Sequence, residues 1–379
     1  MPTKIISPIK SVDGARRVAA AGADEVYVGV RLPGLKFMSY SGRKASCCLD
    51  NYDDLAEACR LTHAYGTKVN LTANLPFMTD LLTPVVKKYI KRAVEAGVDA
   101  LIVADMGTVL LIRDMGIELP IYASSYFVAR NLESIYFLQK LGVTRLIASP
   151  DSTLEEIREL VEISPMEVEA FVHGEGCSNV GGNCYLLHSQ RPKKYAPYDD
   201  APASPIASQP SEDTSIVSIS DRIPCLFDYE VRRLSEKGEV GPAEFLPIMD
   251  SFSFCSMCFV QGLVDMKVGG MKIVGRCASE EFQERTTRYY RKLVDYAYAQ
   301  DTVSTEDEIR SLRLNSPELM KLCSNKRCYY APWSGKAREE FAIPFMDRPL
   351  RLLPIVQVGA AKTFSTVVSD LVAADSRGD

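Results

Sequence analysis

The sequence contains no run of about 18 apolar residues, so a membrane-spanning helix is not expected. Its opening stretch, MPTKIISPIKSVDG, has no apolar core of signal-peptide length, and a cytoplasmic protein is the expectation. Positive charge is not in excess: 44 Lys and Arg stand against 49 Asp and Glu, for a net charge of −5. A global basic field for gripping nucleic acid is therefore missing, although a local basic patch is compatible with that balance. Histidine is scarce at 3 residues and tryptophan scarcer at 1. No zinc-protease helix of the His-Glu-x-x-His type, no Gly-x-Ser-x-Gly nucleophile elbow and no phosphate-binding Gly-x4-Gly-Lys loop is present. Glycine and proline, at 23 and 21 of 379 residues, are at ordinary levels, which argues against collagen-like and disordered classes.

What is present is a regular beat of short β-rich runs and amphipathic stretches. Strand candidates fall at 4–9, 25–30, 68–75, 100–105, 120–125, 145–150 and 167–174, and each helical stretch between them ends in a Gly or Pro stop. The strands read as lacking hydrophobic and polar alternation, as parallel strands covered on both faces do. GGMKIVGR (269–276), followed by a long amphipathic stretch, supplies an eighth unit. Eight β/α units predict a TIM-like (β/α)8 barrel over 1–300. An open doubly wound sheet is the alternative, disfavoured because no Gly-rich dinucleotide loop follows an early strand. Residues 189–224, rich in Pro, Ala, Ser and Asp, read as a loop insertion after strand seven, and 301–379 as a C-terminal extension.

In a barrel, function sits at the C-terminal ends of the strands. That edge carries Arg43, Asn74, Asp105, Ser124 with Ser125, His173 and Arg276, several of which could equally be loop-capping groups. The 11 cysteines are too dilute for a disulfide-stapled secreted scaffold, so metal or redox chemistry competes with simple burial. Cys59, the adjacent Cys47 and Cys48, and also Cys277, Cys323 and Cys328, read as packed thiols. The placed ones are Cys177 and Cys184 in FVHGEGCSNVGGNC, Cys225 beyond the insertion, and Cys255 with Cys258 before the final strand. Thiolates are soft ligands for zinc or an iron–sulfur cluster, and spacing alone leaves a cluster, structural zinc and unrelated thiols open.

At these residues the sequence resembles the collagenase-like peptidases of family U32, which include oxygen-independent tRNA, ribosomal RNA and ubiquinone hydroxylases. The resemblance runs in order through GADEVYVG, the Arg43 segment, KVNLTAN, GVDALIVADMG, YASS, FVHG with its Cys-x6-Cys, CLFDYEV and KIVGR, over about 1–300. Val274 stands where the family has Glu. The resemblance implies a [4Fe–4S] cluster on Cys177, Cys184, Cys225 and either Cys255 or Cys258, with Cys255 preferred. It also implies that Arg276, with Arg43, holds a carboxylate; His173, the histidine at a predicted strand end, is a further catalytic candidate by position, and Asn74, Asp105 and Ser124 at the strand ends are the candidates for binding substrate. The expected activity is an oxygen-independent hydroxylation or related redox step on a small anionic or aromatic, prephenate-like substrate. A peptidase and a non-catalytic iron–sulfur binding or assembly protein are the alternatives, and a protein partner or homo-oligomer is compatible with either. RNA is expected to be the less favoured partner, because the acidic balance and the single Trp333 offer no stacking platform.

Overall fold

The computed structural model describes residues 2–31, 47–75, 78–175, 229–234, 240–246, 253–276, 278–317, 319–320 and 328–330. Eight parallel strands close into a barrel: β1 (Lys4–Pro8), β2 (Glu25–Val28), β3 (Lys68–Ala73), β4 (Ala100–Val103), β5 (Ile121–Ala123), β6 (Val143–Ile147), β7 (Glu167–Glu175) and β11 (Gly270–Ile273). Closure runs through Arg145↔Glu167, Gly270↔Glu169 and Lys4↔Gly270, which rules out the open sheet.

Helices α1 (Val12–Ala20), α2 (Tyr52–His63), α3 (Thr83–Glu95), α4 (Met106–Asp114), α5 (Leu132–Lys140) and α6 (Leu154–Ile163) each follow one of the first six strands. Local chemistry starts them. Ser11, Asn51, Asp105 and Asn131 accept a hydrogen bond from a first-turn amide, and Thr153 with Glu156 forms a reciprocal capping box.

Between β7 and β11 the chain makes a β8 (Tyr229–Leu234) and β9 (Val240–Leu246) hairpin, then β10 (Ser253–Cys255) and α7 (Val260–Asp265). β10 lies antiparallel on the end of β7, and neither it nor the hairpin has a counterpart in the sequence-level reading. The 189–224 insertion lies outside the described residues. Beyond β11, α8 (Glu280–Tyr298) completes the barrel and α9 (Thr302–Asn315) packs on α8, burying Leu312. Tyr329 and Tyr330 are buried too, their hydroxyls donating to the carbonyls of Gly174 and Phe171. The described part of the extension is thus continuous with the barrel, and the compact unit runs through Ser334.

The strands are buried on both faces, but their inner face is not uniformly apolar, which corrects the expectation of no alternation. In β3 and just beyond, Asn70, Thr72 and Asn74 recur every second residue, and in β7 Glu167 and Glu169 do the same. A small inner cluster of Ile6, Tyr27, Ala100, Ile102, Tyr122 and Ile147, with Phe171 against it, fills the middle of the barrel. The larger core lies between strands and helices. Toward the N-terminal ends, Arg145 is fully buried with Glu25, Glu167 and Glu169 around it, and Lys4 and Lys272 complete the set. Three cations thereby meet three carboxylates, a neutral plug on the opposite side of the barrel interior from the C-terminal strand ends that carry Asn74, Ser124 and Arg276.

Candidate active site

The mouth is built on Arg276, which follows β11 and is 5% exposed. Gly275, at φ +122, turns the chain as it leaves the strand, a conformation L side chains rarely adopt. Two contacts fix that turn: Tyr27 Oη donates to the Ile273 carbonyl at 3.0 Å, and Gln283 Nε2 of α8 donates to the Gly275 carbonyl at 2.9 Å. Held there, Arg276 Nη1 donates to Thr72 Oγ1 at 3.1 Å, and its guanidinium lies 5.6 Å from the Tyr27 ring centre. Asn74 and Ser124 are buried at the ends of β3 and β5, around the same opening. A planar cation with hydroxyl and amide groups beside it suits an anionic or heteroaromatic ligand.

Other sequence candidates take different places. Asp105 caps α4, its carboxylate accepting from the Thr108 amide at 2.8 Å. His173 pairs with Ile273 past an irregularity in the ladder, and its ring packs against α8, 5.6 Å from Tyr290 and 5.8 Å from Phe282. Its Nδ1 lies 3.3 Å from Tyr290 Oη, and burial, aided by the charge of Arg285, pushes its pKa down to about 4, so the ring is neutral at pH 7. Arg43, Cys177, Cys184 and Cys225 lie outside the described residues, as do Cys277 and Cys323.

The structure separates the two cysteines that spacing left as alternatives. Cys255 is 7% exposed and stands opposite His173 in the β10–β7 pair. Cys258 is exposed, and its sulfur accepts from Arg313 Nη2 at 2.8 Å in a groove of about 580 Å³ between α7 and α9, away from the mouth. Cys328, read as a packed thiol far along the chain, instead forms a parallel bridge with Cys255, and the Tyr329 amide donates to the Cys255 carbonyl at 3.3 Å. His173, Cys255 and Cys328 therefore sit in neighbouring register positions, although no three metal-ligating side chains among the described residues stand close enough to share an ion. Cys48 and Cys59 are buried free thiols as expected, and burial lifts the Cys59 thiol to about 12; Cys47 is buried too but is disulfide-bonded, which corrects the reading of it as a packed thiol. Thr72 and Gln283 were not singled out by sequence, and Cys328 was read only as a packed thiol. Thr72 carried a usable signal in the period-two polar pattern of NLTAN, whereas the other two depend on distant packing.

Gly174 is irreplaceable for a reason visible in its surroundings. At φ +103, a Cβ there would lie 2.3 Å from the Val274 carbonyl oxygen. Gly174→Ala is expected to cost on the order of 2–3 kcal/mol through left-handed strain and that backbone clash. Urea unfolding measures it, and a variant within about 0.5 kcal/mol of wild type would refute the packing argument.

A closed (β/α)8 barrel with a polar, arginine-bearing mouth and a thiol-rich strand end defines a barrel enzyme class rather than a single reaction. The model of Peptidase family U32 matches residues 10–196 and 222–326, and the chain belongs to that family. Among similar curated proteins, tRNA hydroxylation protein P of Escherichia coli K12 is 29% identical, the alignment covering 78% of this chain and 68% of that protein. The 23S rRNA 5-hydroxycytidine C2501 synthase of the same organism is 28% identical over 77% of this chain but only 39% of its own length. A Porphyromonas gingivalis protein named collagenase is 23% identical over 80% of this chain and 68% of its own. Membership alone therefore does not select the reaction. The RNA-hydroxylation relatives do overturn the expectation that RNA is the less favoured partner. Net charge and tryptophan count average over a whole surface, and a nucleic-acid site needs only a local one. Among the described residues, no helix is long and apolar enough to cross a membrane.

Proposed function

We propose that this chain is an RNA-hydroxylating enzyme that works with a [4Fe–4S] cluster and takes oxygen from a donor other than O₂. The names of the two Escherichia coli relatives support RNA as substrate. The cluster is supported by donor chemistry. Cys255 is a buried thiol paired with the end of β7, and Cys177 follows two residues beyond that strand, with Cys184 and Cys225 further on. These four would hold the cluster, which when bound supplies redox and Lewis-acid chemistry to the mouth.

The chain's own contribution is placement. Arg276 would grip an anionic group through its planar fork, with Tyr27, Thr72 and Gln283 keeping it at the rim. Asn74 and Ser124 would offer hydrogen bonds to a base edge, on the opposite side of the barrel interior from the plug. His173, held neutral by burial, would position the β7 end through Tyr290, whose hydroxyl also donates to the Val172 carbonyl at 2.6 Å.

The observation that carries the reading is the buried Cys255 at the same strand end that leads into the Cys-x6-Cys segment. Cells grown without oxygen, with and without this gene, test it by mass spectrometry of their tRNA and ribosomal RNA nucleosides. A nucleoside one oxygen heavier should vanish on deletion and return with the wild-type gene but not with Arg276→Met. Identical nucleoside profiles in all strains would overturn the proposal.

A further inference from the structure

The surface carries one feature that the mouth does not explain. On α3, Lys87, Lys88, Lys91 and Arg92 are all exposed, and Glu95 is the helix's single acidic residue. The opposite face, with Val86, Tyr89, Ile90 and Ala93, is buried, so the helix turns an apolar stripe inward and a cationic one outward. None of the three lysines makes an ion pair or hydrogen bond with another described residue, and Arg92 lies 4.1 Å over the Tyr52 ring. Elsewhere, five exposed helical cations are matched with carboxylates, Arg16 with Asp13, Arg60 with Glu57, Arg288 with Glu284, Lys292 with Glu308 and Arg310 with Asp307, whereas Lys140 and Arg158, which are not, stand singly on their helices. Lys87 with Lys91, and Lys88 with Arg92, are like charges one turn apart, spacings that repel within the helix. Among the described residues, α3 gathers four adjacent cations without an ion pair, a local field for a polyanion on a chain whose net charge is −5.

Its position relative to the mouth gives the stripe a use. α3 follows β3, so its first turn, Thr83 onward, lies at the barrel end where Thr72 and Asn74 line the opening. The cations begin one turn in from that rim and extend about 7.5 Å down the helix, at a rise of about 1.5 Å per residue.

We infer that α3 is the phosphate-backbone docking face for the RNA substrate, a flank that steers single-stranded RNA to the mouth; the inference rests on the RNA reading above. It deepens that reading by separating contacts that bind any sequence, on α3, from contacts that select a base, at the barrel end.

The test is equilibrium binding of a labelled single-stranded RNA oligonucleotide to the full chain over a series of salt concentrations. Each single-strand phosphate contact adds about 0.7 to the slope of log affinity against log salt. Lys87→Ala/Lys88→Ala/Lys91→Ala should therefore flatten the slope by about 2 and weaken binding about 100-fold at 0.1 M salt. Arg16→Ala/Arg60→Ala/Arg310→Ala makes the same change in net charge at paired cations and should match wild type. Tight binding of the α3 variant with an unchanged slope would overturn the inference and leave the RNA reading standing. An equal loss in both variants would also overturn it, as a whole-surface charge effect. Wild-type protein that binds no RNA even at low salt would sink both, and so would binding only to phosphatidylserine vesicles.

Discussion

Replacing Arg145 with Met should lower the unfolding free energy by about 3–5 kcal/mol, the cost of breaking a buried ion pair from one side. The guanidinium is completely buried, bonds Glu25 through two nitrogens at 2.7 Å each, and also reaches Glu167 at 2.8 Å and Glu169 at 3.2 Å. It stacks 4.0 Å over the Tyr122 ring. Removing it leaves three carboxylates facing only Lys4 and Lys272, so one negative charge is stranded in the barrel. Arg145→Met/Glu25→Gln restores neutrality and should recover a substantial part of the loss, a coupling that a double-mutant cycle in urea reads directly. The same plug sets the acid response. Burial opposes ionisation of Glu25 and Glu167, but the Arg145 hydrogen bonds to the first and the Lys4 hydrogen bond to the second outweigh it and hold both below the ordinary 4.5. Their unfolded forms therefore bind protons first. The stability they contribute is fully present above about pH 4.5 and is lost as pH falls through their lower folded values. The wild type should lose more stability between pH 7 and pH 3 than the double variant. Equal acid sensitivity, or a double variant no better than the single, would refute this account of the plug.

Alanine at Cys255 should remove the iron, and alanine at Cys258 should leave it. Protein purified without air and assayed for iron and acid-labile sulfide, with electron paramagnetic resonance of the reduced form, would give about four of each per wild-type chain. Cys255→Ala and Cys177→Ala should fall to near none, because loss of a thiolate ligand opens the cluster to solvent. Cys258 lies on the exposed α7–α9 groove against Arg313, so its loss should cost only a surface contact. Full iron in Cys255→Ala together with its loss in Cys258→Ala would reverse the assignment. Zinc, or no metal at all, in the wild type would return the thiols to a structural role and remove the cluster from the proposed function.

The barrel was readable because its signals are local. Each α/β unit announces itself by an N-capping residue, a helical apolar period and a short run of β-branched residues, and none of these needs knowledge of what lies across the fold. Ser11, Asn51, Asp105 and Thr153 all cap the helices that the sequence places after them. Asp105 shows the cost of that economy, since a carboxylate at a strand end reads as a site residue and as a cap with equal ease. The β8–β9 hairpin and β10 escaped notice because they follow a composition-biased stretch and carry no period long enough to register.

Residue type and spacing along the chain were enough to give the order of eight β/α units and the family to which they belong. Tertiary structure alone decided which cysteine of Cys255 and Cys258 lies beside His173, that Cys328 returns to Cys255 from more than 70 residues away, and that charges scattered from Lys4 to Lys272 meet in one neutral plug. It also decided that the three lysines of α3 face no carboxylate among the described residues. These are matters of which side chains face one another across strands and helices. Register, barrel closure and helix packing set those pairings through burial and electrostatics, and no local pattern in the chain encodes them.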